Sequence, residues 1–178
     1  MAVIALKPWF ERQFPVVGND SYWPLLERLE GTPMRIKAKF EPYPDALLQS
    51  KVGAEWSVLE NIGHLVDLEP LWIGRVSDIA QGLEFMRPAD LSNRQTHEAD
   101  HNTKTLEELW FSLTELRTQF LDLLQTLSSA DLDKAALHPR LKTPMKIVDL
   151  MYFVAEHDDH HLATCSMLLK KSQRKRTF

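Results

Sequence analysis

His157 and His161 stand four residues apart, and at about 100° per helical residue their side chains fall within about 40° of each other. Both bracket the direction of Leu150, Val154 and Leu168, the apolar line of the same segment. Two imidazoles on an apolar helix face are either core histidines with separate hydrogen-bond partners or two ligands of one metal ion. His64 falls between the directions of Leu68 and Leu71, inside the apolar arc of an earlier helix, so a third imidazole also points inward. Buried ring nitrogens need partners, and one shared divalent ion would satisfy all three rings at once. Three neutral imidazoles leave such an ion its full charge and an open position, as in catalytic rather than structural zinc. Water or a thiol there would lose its proton near neutral pH. Zinc or nickel is expected before iron or manganese, though all four accept imidazole.

Other polar residues could assist. Asp67 and Asp158 are candidate catalytic groups, either accepting a hydrogen bond from a ligand's second nitrogen or acting as a base at the pocket rim. The plainer alternative for both is a helix-surface charge. His160 lies about 80–100° from the apolar line and belongs on the rim, whereas Asp159 faces solvent. Glu60 is the capping-box partner of Ser57. Cys165, one turn beyond His161, reads as a small buried hydrophobe. His97 and His101 are expected as solvated loop residues or at the pocket mouth, and His138, beside Pro139, as structural. Trp56, Trp72 and Trp110 sit at helical or cap spacing, which favours core packing over substrate stacking. No Ser-His-Asp order, Gly-rich phosphate loop or Cys pair offers a competing chemistry.

The elements that must position these groups are helical. The chain has 178 residues, 44% of them hydrophobic, with only six Gly and one Cys, which suits one domain over 1–178 with a real core and no disulfide framework. Leu25, Leu26 and Leu29, then Gly31-Thr32-Pro33, then Ile36 and Phe40 predict two short helices with Thr32 capping the second; a strand over Arg35–Phe40 is the alternative. Ser57-Val58-Leu59-Glu60 opens a clear second helix that runs through His64 and Trp72 to Ile79, with a kink expected at Pro70. Residues 86–102 are polar and without period and read as a long connection. Leu106 to Leu127 mark a third amphipathic helix, and after a link from Asp131 to Pro144 the last runs from about Met145 to Leu169. With no convincing strand pair, the fold class is all-α, a helical bundle.

Charge narrows the partners. The net charge is −4, but five of the 21 basic residues crowd a basic tail over 170–178 that lacks any acid, so residues 1–169 hold 16 basic against 25 acidic groups. An acidic body argues against a broad phosphate-binding face, so nucleic acid is not the expected partner. No apolar stretch approaches the roughly 18 residues that span a bilayer, and the start, MAVIALKPWFERQF, lacks a signal-peptide pattern. No membrane association and a cytoplasmic setting are therefore expected.

Two stretches carry a family resemblance. Glu55 to Leu65, followed by Asp67-Leu68-Glu69 and Trp72, resembles the second-helix signature of the DinB-like (YfiT-like) superfamily. Ala155-Glu156-His157-Asp158-Asp159-His160-His161-Leu162-Ala163 is similar to its last-helix signature, with weaker matches at Leu29–Pro33 and His138-Pro139. The resemblance covers roughly residues 20–170, and departs from a common form where Arg140–Pro144 replaces a Gly before the last helix. It implies a four-helix bundle of up-down-down-up topology, often a homodimer, with His64, His157 and His161 around a divalent metal. It further implies a metal-dependent thiol S-transferase, using a low-molecular-weight thiol, or a hydrolase, in either case acting on a small-molecule substrate. The non-enzymatic alternative is a stress-associated metal-binding helical protein.

Overall fold

The structure is a computed structural model that describes residues 5–176, with side chains as far as Ser172. The part of the basic tail from residue 173 onward lies outside the described side chains. Four long helices form the bundle: α1 (Tyr22–Phe40), α3 (Val58–Ala80), α5 (Leu106–Gln125) and α7 (Ile147–Arg176). Short helices α2 (Asp45–Leu48), α4 (Arg94–Glu98) and α6 (Ser129–Leu132) occupy the connections. Among the described residues no helix is long and apolar enough to cross a membrane.

The long-range side-chain pairs fix the helix directions. Tyr22 with Leu124, Leu29 with Arg117 and Lys37 with Glu107 run α1 antiparallel to α5. Arg28 with Glu156 and Arg35 with Asp159 run α1 parallel to α7. Asn61 with His161 and Cys165 with Val58 run α3 antiparallel to α7. The order is therefore up-down-down-up, and the parallel pair α3 and α5 needs the long connection over residues 81–105.

Local signals account for the helix starts. Ser57 and Thr105 close capping boxes with Glu60 and Glu108, each satisfying a free backbone donor at both ends of the box. Asp149 reaches back to the backbone N–H of Lys146 at 2.9 Å and so closes the first turn of α7.

Two sequence expectations fail here. The Gly31-Thr32-Pro33 step does not divide α1, which is one helix through Phe40, including the stretch considered as a strand. Pro33 removes the donor for the Leu29 carbonyl, but Arg117 Nη1 supplies one at 2.9 Å. Thr32 is not a cap; it is buried and donates to Asp158 at 2.9 Å. Second, the Asp131–Pro144 link contains an antiparallel pair, β1 (Ala135–Leu137) with β2 (Pro144–Lys146), in register Ala136 to Met145. Its tight loop is closed by His138 N–H to Thr143 O at 2.9 Å, with Lys142 at φ 57°. Helix α3 passes through Pro70 unbroken.

The core is divided into two apolar clusters. One is built around Leu29, Val76, Phe120 and Val154, the other around Ile36, Leu59, Leu113 and Leu162. Each long helix contributes to a linked set of buried polar residues: Thr32, Glu69, Arg117 and Asp158. Arg117 Nη1 donates to Asp158 at 2.8 Å and its Nε to Glu69 at 3.1 Å. Burial raises the Glu69 carboxyl, only partly offset by Arg117, whereas the two carboxylates outweigh burial and raise Arg117.

Candidate metal centre

His64 on α3 and His157 and His161 on α7 converge. Each offers a ring nitrogen, and the three nitrogens lie within 4.8 Å of one another. Ring centroids are 4.5 Å apart for His157 and His161, 4.9 Å for His64 and His161, and 5.4 Å for His64 and His157. Burial pushes His64 down to about 4 and holds His157 and His161 well below the usual imidazole range, helped by their mutual repulsion. All three are therefore neutral at pH 7, the state a metal ligand requires.

The surrounding hydrogen bonds choose which nitrogen faces inward. The Asn61 amide nitrogen donates to the Ser57 carbonyl at 2.7 Å, so its oxygen, 2.8 Å from His161 Nδ1, must accept. His161 then carries its proton on Nδ1 and leaves Nε2 bare. Thr96 donates its one hydroxyl proton to Asp67 at 2.8 Å and so accepts from His64 Nδ1 at 3.0 Å. His64 Nε2 is thereby left as a lone-pair donor too. His157 Nδ1 is buried with no hydrogen-bond partner. Three neutral imidazoles, two with tautomers set by neighbours and one with an orphaned nitrogen, fit a divalent cation.

Of the two expected carboxylates, Asp67 reaches the centre through Thr96. It also accepts from His101 Nε2 at 2.9 Å, and these hydrogen bonds outweigh burial and lower its pKa. Asp158 is fully buried, and its oxygens meet Arg117 and Thr32 rather than a ring nitrogen. His101, expected in solvent, is 1% exposed. The one sequence signal for this was Gly63: a Cβ there would sit 2.2 Å from the His101 ring. The supposed polar connection is thus partly structured, by α4 and a 3-10 turn over His101–Thr103, and packs directly on α3.

The centre opens into a cavity of about 410 Å³. Trp9 stands edge-on to His157 at 4.9 Å, and Trp56 lies 4.9 Å from His64. Trp72, 3% exposed, backs His157 at 5.7 Å, so Trp56 and Trp72 are cavity walls as well as packing residues. Trp110 instead receives the Lys37 ammonium over its ring at 3.8 Å. His160 lines the cavity half-buried, as its rim position suggests, and His97 stands against Trp56. Cys165 is buried and its thiol is pushed up to about 12, which makes it inert at neutral pH.

The model of the DinB superfamily matches residues 28–165. No curated protein matches the sequence. Among solved structures, the chain is similar to YfiT from Bacillus subtilis, described as a probable metal-dependent hydrolase with an unusual four-helix bundle topology. The likeness has a TM-score of 0.77 at 20% identity and covers 90% of this chain and 92% of that chain. With more than half of its length matched by the family model, the chain belongs to the DinB superfamily.

Proposed function

We propose that this protein is a metal-dependent enzyme that binds a divalent ion through His64, His157 and His161 and acts on a small molecule in the adjoining cavity. The observation that carries this reading is the convergence of three neutral imidazoles, two with Nε2 freed by fixed partners, at the edge of a largely apolar cavity. When bound, the ion would supply Lewis acidity and bring the pKa of water or a thiol toward neutrality. The reaction is accordingly hydrolysis or transfer to a low-molecular-weight thiol, with zinc or nickel the first metals to test among those that accept imidazole.

The chain's own residues prepare that step. Asp67 is a positioning residue, holding Thr96 and through it the His64 ring. Trp9 and Trp56 exclude water from the imidazoles. Asp158 acts through the bundle, tying α7 to Arg117. A homodimer in the cytoplasm completes the reading, supported by exposed Trp23 and Met34 on α1 and Phe111 on α5, and by a single, buried thiol.

Elemental analysis of untagged protein and of His64→Ala, His157→Ala and His161→Ala tests the site. One equivalent of metal in the wild type and under a tenth in each variant, with helical content kept, is expected. Stoichiometric metal in all three variants would rule the site out. Turnover of activated esters, or of electrophiles with added thiols, by the wild type alone separates an enzyme from a bundle merely stabilised by metal.

A further inference from the structure

The cavity has a second polar wall that the imidazole centre does not use. Arg75 on α3, 2% exposed, and His138 and Arg140 on the β1–β2 loop all line it. Arg75 lies eleven residues beyond His64, about 16 Å along the helix axis. The two sets therefore occupy different parts of one cavity.

This wall consists of donors only. His138 Nδ1 accepts the backbone N–H groups of Arg140 and Leu141, both at 3.2 Å, so the ring proton must sit on Nε2. That Nε2–H stands 3.2 Å from Arg75 Nη1, another obligate donor. Two donors face each other with no acceptor between them. Arg140 Nη2 is buried and has no hydrogen-bond partner. Neither guanidinium has an ion-pair partner among the described residues; Arg75 Nε is spent on the Arg87 carbonyl at 3.1 Å, and Arg140 lies over the Phe10 ring at 5.1 Å.

Nearby acids are engaged elsewhere. Both oxygens of Asp78 are held by Arg87, at 2.7 and 2.9 Å. Asp90, which also lines the cavity, accepts from Ser92 and from the Arg94 backbone. Burial, partly offset by Asp78, together with the charges of Arg140 and Arg87, pushes Arg75 down to about 10, and burial with Arg75 and Arg140 pushes His138 down to about 3. Uncompensated cations and unpaired donors in a buried wall are costly unless an acceptor of opposite charge joins them.

We propose that Arg75, His138 and Arg140 form an oxyanion subsite, so that the substrate of this cavity carries a carboxylate or phosphate group. An oxyanion accepts from several donors at once, and a guanidinium fork matches its geometry. The proposal rests on the cavity being the substrate site and deepens that reading: the imidazole wall would meet the reacting group, and this wall the charge.

The test uses metal-free protein, prepared with a chelator so that an anion cannot ligate the ion, and follows tryptophan fluorescence from the cavity walls. The probes are 1-naphthoate, 1-naphthyl phosphate and the neutral 1-naphthalenemethanol. At least one anionic probe is expected to bind about tenfold more tightly than the alcohol. Whichever anion binds better tells a carboxylate substrate from a phosphate one. Arg140→Gln, on a partly buried loop, should remove most of that preference; Arg75→Gln should do the same where circular dichroism shows it folded. Equal binding of all three probes, or a preference unchanged in Arg140→Gln, would overturn the subsite. His157→Ala separates the two readings, since it should lose metal yet keep the anion preference. If the preference is absent while the wild type binds metal and turns over, only the subsite fails.

Discussion

Asn61 holds His161 in one tautomer: its amide oxygen lies 2.8 Å from His161 Nδ1, and its amide nitrogen is committed to the Ser57 carbonyl at 2.7 Å. The capping residue of α3 therefore governs, through one side chain, which nitrogen of a histidine on α7 faces the cavity. Replacing Asn61 with Ala should weaken metal binding about 10- to 100-fold, as removal of a partner behind a ligand does, while helical content is kept. Competition with a chromogenic chelator measures this; unchanged affinity would detach Asn61 from the centre.

Gly63 and Gly74 make a contrasting pair on α3. In an open helix interior, Gly→Ala stabilises by about 1 kcal/mol. At Gly63 the added methyl would meet the buried His101 ring at 2.2 Å, and overpacking of that kind costs about 1–3 kcal/mol. At Gly74 its nearest neighbours are atoms of the Arg87 guanidinium, the far end of a half-exposed side chain. Denaturant titration should show Gly63→Ala clearly less stable than wild type and Gly74→Ala much nearer to it.

Arg117 sits between two carboxylates, all three buried. Arg117→Met should cost about 3–5 kcal/mol, because it leaves Glu69 and Asp158 buried without a counter-charge. It also strips the Leu29 carbonyl of its donor. Adding Glu69→Leu and Asp158→Leu to the same variant should recover a large part of that loss, by calorimetry or denaturant midpoint. A harmless Arg117→Met would show that this layer carries no such strain.

The metal-free protein should weaken in mild acid. His64, at about 4 when folded against an ordinary 6.5, binds fewer protons in the native chain than in the unfolded one between those values. His138, at about 3, behaves likewise, and His157 and His161 are lowered too. Stability therefore rises with pH across this window: it is complete above about 6.5 and is lost as pH falls toward 4. At about 1.4 kcal/mol for each pH unit per histidine, the loss amounts to several kcal/mol. Saturating metal should hold the midpoint steady to lower pH, and a flat profile without metal would contradict the burial of these rings.

Much of the centre was legible because periodicity survives folding. The spacing of His157 and His161, and the place of His64 between Leu68 and Leu71, carry direct geometric meaning along a helix. So does the Ser57–Glu60 cap. What local pattern could not supply were the long-range compensations. Pro33 reads as a helix start only as long as the donor from Arg117, far along the chain, is unknown. His101 lies in an aperiodic polar window, and only tertiary packing buries it. Other signals were present but unused: Arg117 falls on the Leu113, Phe120 and Leu124 face, and Glu69 lies in step with Leu65, Trp72 and Val76. A charge in an apolar stripe marks a buried partner, and those two residues point to each other.

The polar layer between the two apolar clusters has a further consequence. Arg117 on α5 touches α1 at the Leu29 carbonyl, α3 at Glu69 and α7 at Asp158, so all four rods are keyed at one height. Leucine-rich faces can slide past one another by a turn and still find grease, but a slip here would strand a charge in it. The layer thus acts as a pin that sets the vertical alignment of α3 against α7, and with it the level at which His64 meets His157 and His161.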